Sequence, residues 1–423
     1  MAFGTLAVTV LLAGLDRAIV GLLIDPIRED LGLTDSEIGL LGLGFGLFYA
    51  VMALPFGWLA DRMTRVRILA VAVLIWSVMT ALGGGAQSFI VLFIARIGVG
   101  FGEAAMMPCC SSLLADYFRP ERLPIAMSCF IAAGLFGASF AFVAGGWVYG
   151  LAIQVGPVDL PLLGNTMPWQ TTLLFVGFLG LFVSAMLLLT REPQRIGRSV
   201  GGGVSFREGF VFLWRRRWLI LQHNLGFGFA GIYTFAMFLW GPTFLSRIYG
   251  WTMVEAGAAF GLAMMVPGIL GIFTAGWLAS WLMKRGHADA PMLIAIGGLV
   301  LLLPVAIVAP LMPSGKVAIA LIAVSMFFFS FPVAMPQVSL QLITPNELRG
   351  RTIGLLTIAT NAIGMSIGPM SVAFLNDRVF SDPQAINFSL AIVSGASIGL
   401  AALFLALALP QYRKLAISAA KER

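Results

Sequence analysis

Long apolar runs alternate along this chain with short polar punctuation, and counting the runs sets an architecture before any single residue is considered. Runs of about 20 or more predominantly apolar residues are long enough to cross a bilayer as helices. They lie near 3–26, 37–60, 67–86, 89–114, 123–152, 168–190, 219–246, 254–283, 290–310, 317–343, 352–375 and 386–409, and so predict twelve membrane-spanning helices in an all-α membrane protein. The longest polar interval, Arg191 to Trp218, contains Gly201, Gly202 and Gly203 and then the charged pieces FRE and WRRRW. It reads as a linker with a short amphipathic helix from Val204 to Trp214 lying on the membrane surface. The expected organisation is an N-terminal six-helix bundle over 1–190, a cytoplasmic linker over 191–218, and a C-terminal six-helix bundle with its tail over 219–423.

Composition narrows the class further. With 59% of 423 residues hydrophobic and 11% charged, the chain has too little charge to clothe a soluble protein of this length. The net charge of +7 is not a nucleic-acid footprint, because the basic residues sort by loop. Arg62, Arg65, Arg67, Arg119, Arg122, the linker arginines, Lys284, Arg285, Arg349, Arg351 and the basic residues of the tail fall in alternate loops, the linker or the terminus. The opposite loops hold only Arg28, Arg247, Lys316 and Arg378 beside Asp25, Glu29, Asp30, Asp35, Glu37, Asp159, Asp377 and Asp382. The basic face is therefore expected to be cytoplasmic, with both termini on it, in a cell (inner) membrane. No basic leader precedes the first run, which is expected to remain as a helix.

Several chemistries are not expected. Cys109 and Cys110 are adjacent and Cys129 lies in the next run, so the three cysteines offer neither a disulfide framework nor a zinc spacing and read as small packing residues. Gly315-Lys316-Val317 lacks the surrounding P-loop pattern, and the glycines of Arg96–Ala104 follow no strand, so nucleotide and dinucleotide sites are excluded. His223 and His287 lie near the basic face with no nucleophile beside a base, so no enzyme, catalytic residue, metal or cofactor is expected, and the chain is expected to act as a monomer.

Four charged residues remain at membrane depth, Asp16, Arg17, Arg96 and Glu103, all in the first half. Hydrocarbon tolerates such groups only where they face a partner or a water-filled cavity, so they are the first candidates for function. Arg96 and Glu103 are seven residues apart, almost two helical turns, and share one face. Between them Gly98, Gly100 and Gly102 permit a neighbouring helix to approach closely. Asp16 and Arg96 each lie about 10–15 Å below the outer ends of their helices, at matching depth, which predicts an ion pair between them. Arg17 points about 100° away from Asp16 and is a candidate for either substrate contact or helix packing.

An internal repeat supports the six-plus-six division. Gly57-Trp58-Leu59-Ala60 recurs as Gly276-Trp277-Leu278-Ala279, and PERLPIAM from Pro120 resembles PNELRGRTIG from Pro345. Parallel duplication of this kind is the construction of transporters that rock around a central site.

The stretch GWLADRMTRVR, Gly57 to Arg67, resembles the loop signature between the second and third helices of the major facilitator superfamily; Ser280 replaces the aspartate in the second copy. Within that superfamily the chain is most similar to the spinster-like branch, through Asp16-Arg17, the run Ile27 to Ala50, and RIGVGFGEA from Arg96. The resemblance implies two pseudo-symmetric six-helix bundles, a cavity lined by helices 1, 4, 7 and 10, and a cytoplasmic gate involving Asp61, Arg62 and Arg65 with Arg349 and Arg351. It also implies an amphiphilic or anionic lipid-like substrate of the sphingolipid or lysophospholipid kind. Asp16 and Glu103 are then the proton-coupling candidates, and Arg96 the guanidinium that Asp16, Glu103 and a substrate head group could share. Burial disfavours an ionised carboxylate and a nearby arginine favours it, so withdrawing the arginine would promote proton uptake. Tyr233, Trp240, Phe331, Gln341 and Asn361 are expected to line the second-half wall, where the chain has no intramembrane charge. A small organic anion or drug-like solute is the alternative cargo.

Overall fold

The computed structural model describes residues 2–118, 123–161, 164–194, 206–345 and 348–421. Among the described residues twelve helices are long and apolar enough to cross a membrane. They are Phe3–Leu22 (span 1), Asp35–Ala60 (span 2), Arg65–Gly84 (span 3), Phe89–Tyr117 (span 4), Phe136–Val155 (span 5) and Pro168–Leu188 (span 6). The second half supplies Arg217–Tyr249 (span 7), Met253–Lys284 (span 8), Ala290–Leu311 (span 9), Gly315–Ile343 (span 10), Thr352–Phe380 (span 11) and Pro383–Ala419 (span 12). The expected helix count is thus met. The helix foreseen in the linker is present over Phe206–Arg215, while 195–205 lies outside the described residues.

Local chemistry accounts for where several elements start and stop. Gly32, at φ +65°, ends a short helix Ile24–Leu31 in the left-handed conformation that glycine adopts without a Cβ penalty. Thr34 and Glu37 then form a reciprocal capping box that starts span 2. Span 4 is interrupted just after Glu103, where Ala104 and Ala105 form a turn before helix resumes at Met106. Pro108 supplies the reason: it has no N–H for the Ala104 carbonyl, and its ring crowds that group. The break leaves Glu103 at the end of the first helical piece.

The glycines near Glu103 act as the spacing predicted. A Cβ on Gly100 would lie 2.4 Å from the Phe45 carbonyl oxygen of span 2, and one on Gly102 would lie 2.8 Å from the Ala72 carbonyl oxygen of span 3. Both contacts are with backbone, so spans 2 and 3 press against span 4 at these two positions and no side chain can be accommodated there.

The chain divides into two compact units. One comprises Met1–Ile196, Ala236–Met265 and Pro369–Ile386; the other comprises Gly197–Phe235, Val266–Gly368 and Asn387–Arg423. The first unit therefore contains spans 1–6 together with the acid-rich-face ends of spans 7, 8, 11 and 12. All four intramembrane charges belong to it.

Candidate functional site

Span 1 presents Asp16 and Arg17 to different neighbours, as a helix must when two consecutive residues both carry charge. Asp16 is 1% exposed. It accepts a hydrogen bond from the Thr80 hydroxyl of span 3 at 2.6 Å and one from Arg96 Nη1 of span 4 at 3.4 Å. The predicted Asp16–Arg96 pair is therefore present, with Thr80 as an additional donor. Arg96 borders a cavity of about 10 Å³, lined also by Met79, Thr80, Leu92 and Val99. That is room for about one water molecule and none for a head group.

Arg17 turns instead to Glu103, donating from Nε to Oε2 at 2.5 Å. Glu103 is fully buried, whereas the Arg17 side chain keeps 24% of its surface exposed. In this structure Arg96 pairs with Asp16, and Glu103 is paired by Arg17. Two turns of span 4 separate Arg96 from Glu103, and Arg17 reaches the lower acid first. Phe45 of span 2 lies against both cations, its ring centroid 5.1 Å from the Arg96 Cζ and 5.6 Å from the Arg17 Cζ, and Tyr49 lies 5.1 Å from the latter. Cations favour the faces of such rings, most strongly where water is excluded. The Arg17–Glu103 pair remains incompletely satisfied: Arg17 Nη2 and Glu103 Oε1 are both buried and have no hydrogen-bond partner. Buried polar atoms are normally paired, which makes these two atoms the candidate contact points of the site.

A second constellation in the same unit was visible in the sequence only as loop charge. On the acid-rich face, Arg247 near the end of span 7 donates from Nε to Asp25 at 2.9 Å and from Nη2 to Asp25 at 2.6 Å. Its Nη1 and Nη2 reach the two carboxylate oxygens of Asp35 at 2.7 and 2.9 Å, and Nη1 also reaches the Pro383 carbonyl at 3.2 Å. Asn376 of span 11 donates to Asp35 at 2.8 Å, and Asp377 accepts from the Ser36 backbone N–H at the start of span 2, where a helix N-terminus favours an anion. These bonds hold the acid-rich-face ends of spans 7 and 11 to the short helix Ile24–Leu31 and the start of span 2. The fork geometry of a guanidinium suits two carboxylates at once.

The expected second-half wall is placed differently. Tyr233 is buried and its hydroxyl bonds Ser325 Oγ at 2.7 Å. Trp240 has no exposed surface and donates from Nε1 to the Pro369 carbonyl at 3.0 Å. Phe331 is buried beside Phe327 and Phe328. In this conformation all three rings bury their apolar surface against neighbouring helices. Gln341 is exposed and Asn361 half-buried.

The expected gate residues also separate. Arg65 is buried within the first unit, where it pairs with Asp116 at 2.5 Å and Glu192 at 2.8 Å and donates to Ser112. Glu192 also accepts from the Val66 backbone N–H, so Arg65 fastens the linker's first residues to spans 3 and 4. Arg62 is exposed and stacked on Trp58, 4.0 Å from its ring centroid. The side chains of Asp61, Arg349 and Arg351 lie outside the described residues.

One pairing was hidden by sequence distance. Ser339 Oγ lies 2.7 Å from His223 Nε2, a hydroxyl beside a base. Both are fully buried, the serine is also bonded to the Pro336 carbonyl, and Tyr412 caps the Ser339 carbonyl. This nucleophile has no open face for a substrate. Among the described residues no cluster of three metal-ligating side chains occurs.

Comparison with known proteins places this geometry. The chain is 27% identical to an MFS-type efflux pump of Mycolicibacterium smegmatis across 99% of its own length and 95% of that protein. It is 27% identical to the protein spinster of Drosophila melanogaster across 68% of its length and 46% of that protein. Its fold matches the crystal structure of a bacterial homologue of the human lysosomal transporter spinster, in an inward-facing and unoccupied conformation, with a TM-score of 0.78 at 24% identity over 100% of this chain and 97% of that one. The resemblance to spinster-like transporters read from spans 1, 2 and 4 thus recurs in sequence over 68% of the chain, and in fold over its whole length. Residues 6–369 match the model of the Major Facilitator Superfamily, and the chain belongs to that family of membrane transporters.

Proposed function

We propose that this transporter carries a lipid-like amphiphile with an anionic head group, of lysophospholipid or sphingoid-phosphate type, and that protons are coupled to it through Glu103. The single observation that carries this reading is the half-satisfied Arg17–Glu103 pair. Protonation of the Glu103 carboxylate removes its charge and releases the guanidinium, whose N–H groups then take the anionic oxygens of the head group by charge-assisted hydrogen bonds. Deprotonation restores the pair and expels the anion. Asp16, tied to Arg96 and Thr80, is the second acid of the relay and fixes the rotation of span 1. The six-helix halves rock about this site, with the basic face in the cytoplasm and Asp61, Arg62, Arg349 and Arg351 latching it. Similarity to spinster proteins supports the lipid-like cargo. The whole-length similarity to an efflux pump favours a second reading, in which the same pair serves a drug-like solute.

Uptake into proteoliposomes, with and without a pH gradient, tests both. A lysophospholipid, a sphingoid phosphate and a short organic anion are offered in turn. Wild type is expected to accumulate one of the first two in response to the gradient, and Glu103→Gln to lose that response by about tenfold or more while still exchanging substrate. Accumulation of the organic anion alone overturns the amphiphile reading. An unchanged response in both Glu103→Gln and Asp16→Asn overturns the coupling.

A further inference from the structure

The corner where the linker helix meets span 7 carries three consecutive arginines and is not used by the mechanism above. The helix Phe206–Arg215 ends in Trp214-Arg215, Arg216 forms the turn, and span 7 begins at Arg217 followed by Trp218. Among the described side chains none of the three guanidiniums has an acidic partner within ion-pair distance. Arg217 donates to the Trp214 carbonyl at 3.1 Å, satisfying one of the orphan acceptors at the helix end. Arg216 is half-buried and stacked 4.0 Å from the centroid of Phe212, and its Nε is buried without any hydrogen-bond partner. Burial, and then the neighbouring Arg215 cation, pull the Arg216 pKa below its ordinary value. An uncompensated, partly desolvated guanidinium with an orphan donor is costly unless an anion completes it.

Two other basic groups on this face are differently provided for. Arg413 pairs with Asp289 at 2.5 Å, and Arg285 stacks 3.8 Å from the Trp281 centroid at the exposed end of span 8. At the linker corner the flanking tryptophans Trp214 and Trp218 are 59% and 58% exposed. Tryptophan so placed belongs at the headgroup level of a bilayer, its ring half in apolar surroundings and its N–H in polar ones. The corner therefore holds positive charge at the depth of lipid phosphates, bracketed by two interfacial anchors.

We propose that Arg215, Arg216 and Arg217 form a binding site for the head group of an anionic glycerophospholipid in the adjacent leaflet, with Arg216 Nε donating to the phosphate. The site is separate from the transported substrate: it lies at the membrane surface, and it acts by holding the linker helix against the start of span 7. Juxtamembrane arginines of this kind contribute about 1 kcal/mol each toward an anionic surface, equivalent to about a fivefold gain in lipid affinity per residue.

The test uses the full chain in phosphatidylcholine nanodiscs with graded phosphatidylglycerol, reading retained lipid by native mass spectrometry. Wild type is expected to retain phosphatidylglycerol over phosphatidylcholine. The triple variant Arg215→Gln/Arg216→Gln/Arg217→Gln should lose that preference by well over tenfold, and Arg216→Ala alone by about fivefold. Arg216→Ala keeps two of the three charges and so guards against misinsertion of the triple variant, with size-exclusion elution checking its fold. Lys284→Gln/Arg285→Gln, which removes two basic residues from the same face, should leave the preference intact. Equal losses in this control and in Arg216→Ala, or retention of phosphatidylglycerol by a well-folded triple variant, would overturn the site.

Discussion

Arg247 and Arg17 are both arginines at the edge of the first unit's polar interior, yet one is saturated and the other is not. Arg247 uses Nε, Nη1 and Nη2 on two aspartates and a carbonyl. Arg17 donates from Nε to Glu103, lies against Tyr49, and leaves Nη2 without a partner. On the proposed mechanism the difference separates a fastener from an exchanger. A guanidinium whose donors are all used gains nothing from a new anion, while one with a spare donor beside a spare carboxylate oxygen can change partner at little cost. Arg247 also joins sequence-distant elements, span 7 to the start of span 2, whereas Arg17 joins spans 1 and 4 of the same half.

The largest effect that would test this contrast lies at the fastener. Asp35→Asn leaves Arg247 with half its carboxylate partners in a buried setting, and breaking such a pair costs about 3–5 kcal/mol. The variant should melt at a markedly lower temperature and show faster hydrogen exchange across 369–386, while Glu103→Gln, replacing an already incomplete pair, shifts melting far less. Equal shifts would erase the distinction. Gly100→Ala comes next: its Cβ would lie 2.4 Å from the Phe45 carbonyl oxygen, and overpacking of this kind costs about 1–3 kcal/mol. Thermal melting in detergent should fall accordingly, and transport should fall with it because Phe45 contacts both central cations. The smallest effect is expected at Thr80→Val, which removes one hydrogen bond to Asp16 and costs about 1 kcal/mol. That loss should appear as a modest fall in melting temperature with gradient response retained. A transport defect as deep as that of Glu103→Gln would make Asp16, rather than Glu103, the exchanging acid.

Much of this was legible along the chain, and what escaped did so for definable reasons. The twelve spans, the linker helix and the four intramembrane charges follow from run length and from the cost of charge in hydrocarbon, both local properties. The Asp16–Arg96 pair followed from depth alone, since two residues at equal height on adjacent helices meet if their faces agree. Depth could not show that Thr80 would join them, because a neutral hydroxyl in an apolar stretch of span 3 carries no charge to announce it. Nor could periodicity tell a buried aromatic from an exposed one: Trp240 and Phe331 satisfy the same spacing rules in either case, and both are buried in this structure.

The order of apolar runs, the sorting of basic and acidic loops, and the confinement of intramembrane charge to the first half are written in the residue order, because each depends on composition within one helix length. Which arginine meets which acid was settled only in three dimensions. Asp16 and Arg17 are adjacent in the chain but point about 100° apart, so the rotation of span 1 against spans 3 and 4 assigns one to Arg96 and the other to Glu103. The clamp of Arg247 on Asp25 and Asp35 depends on the same kind of choice, made across more than 200 residues of sequence.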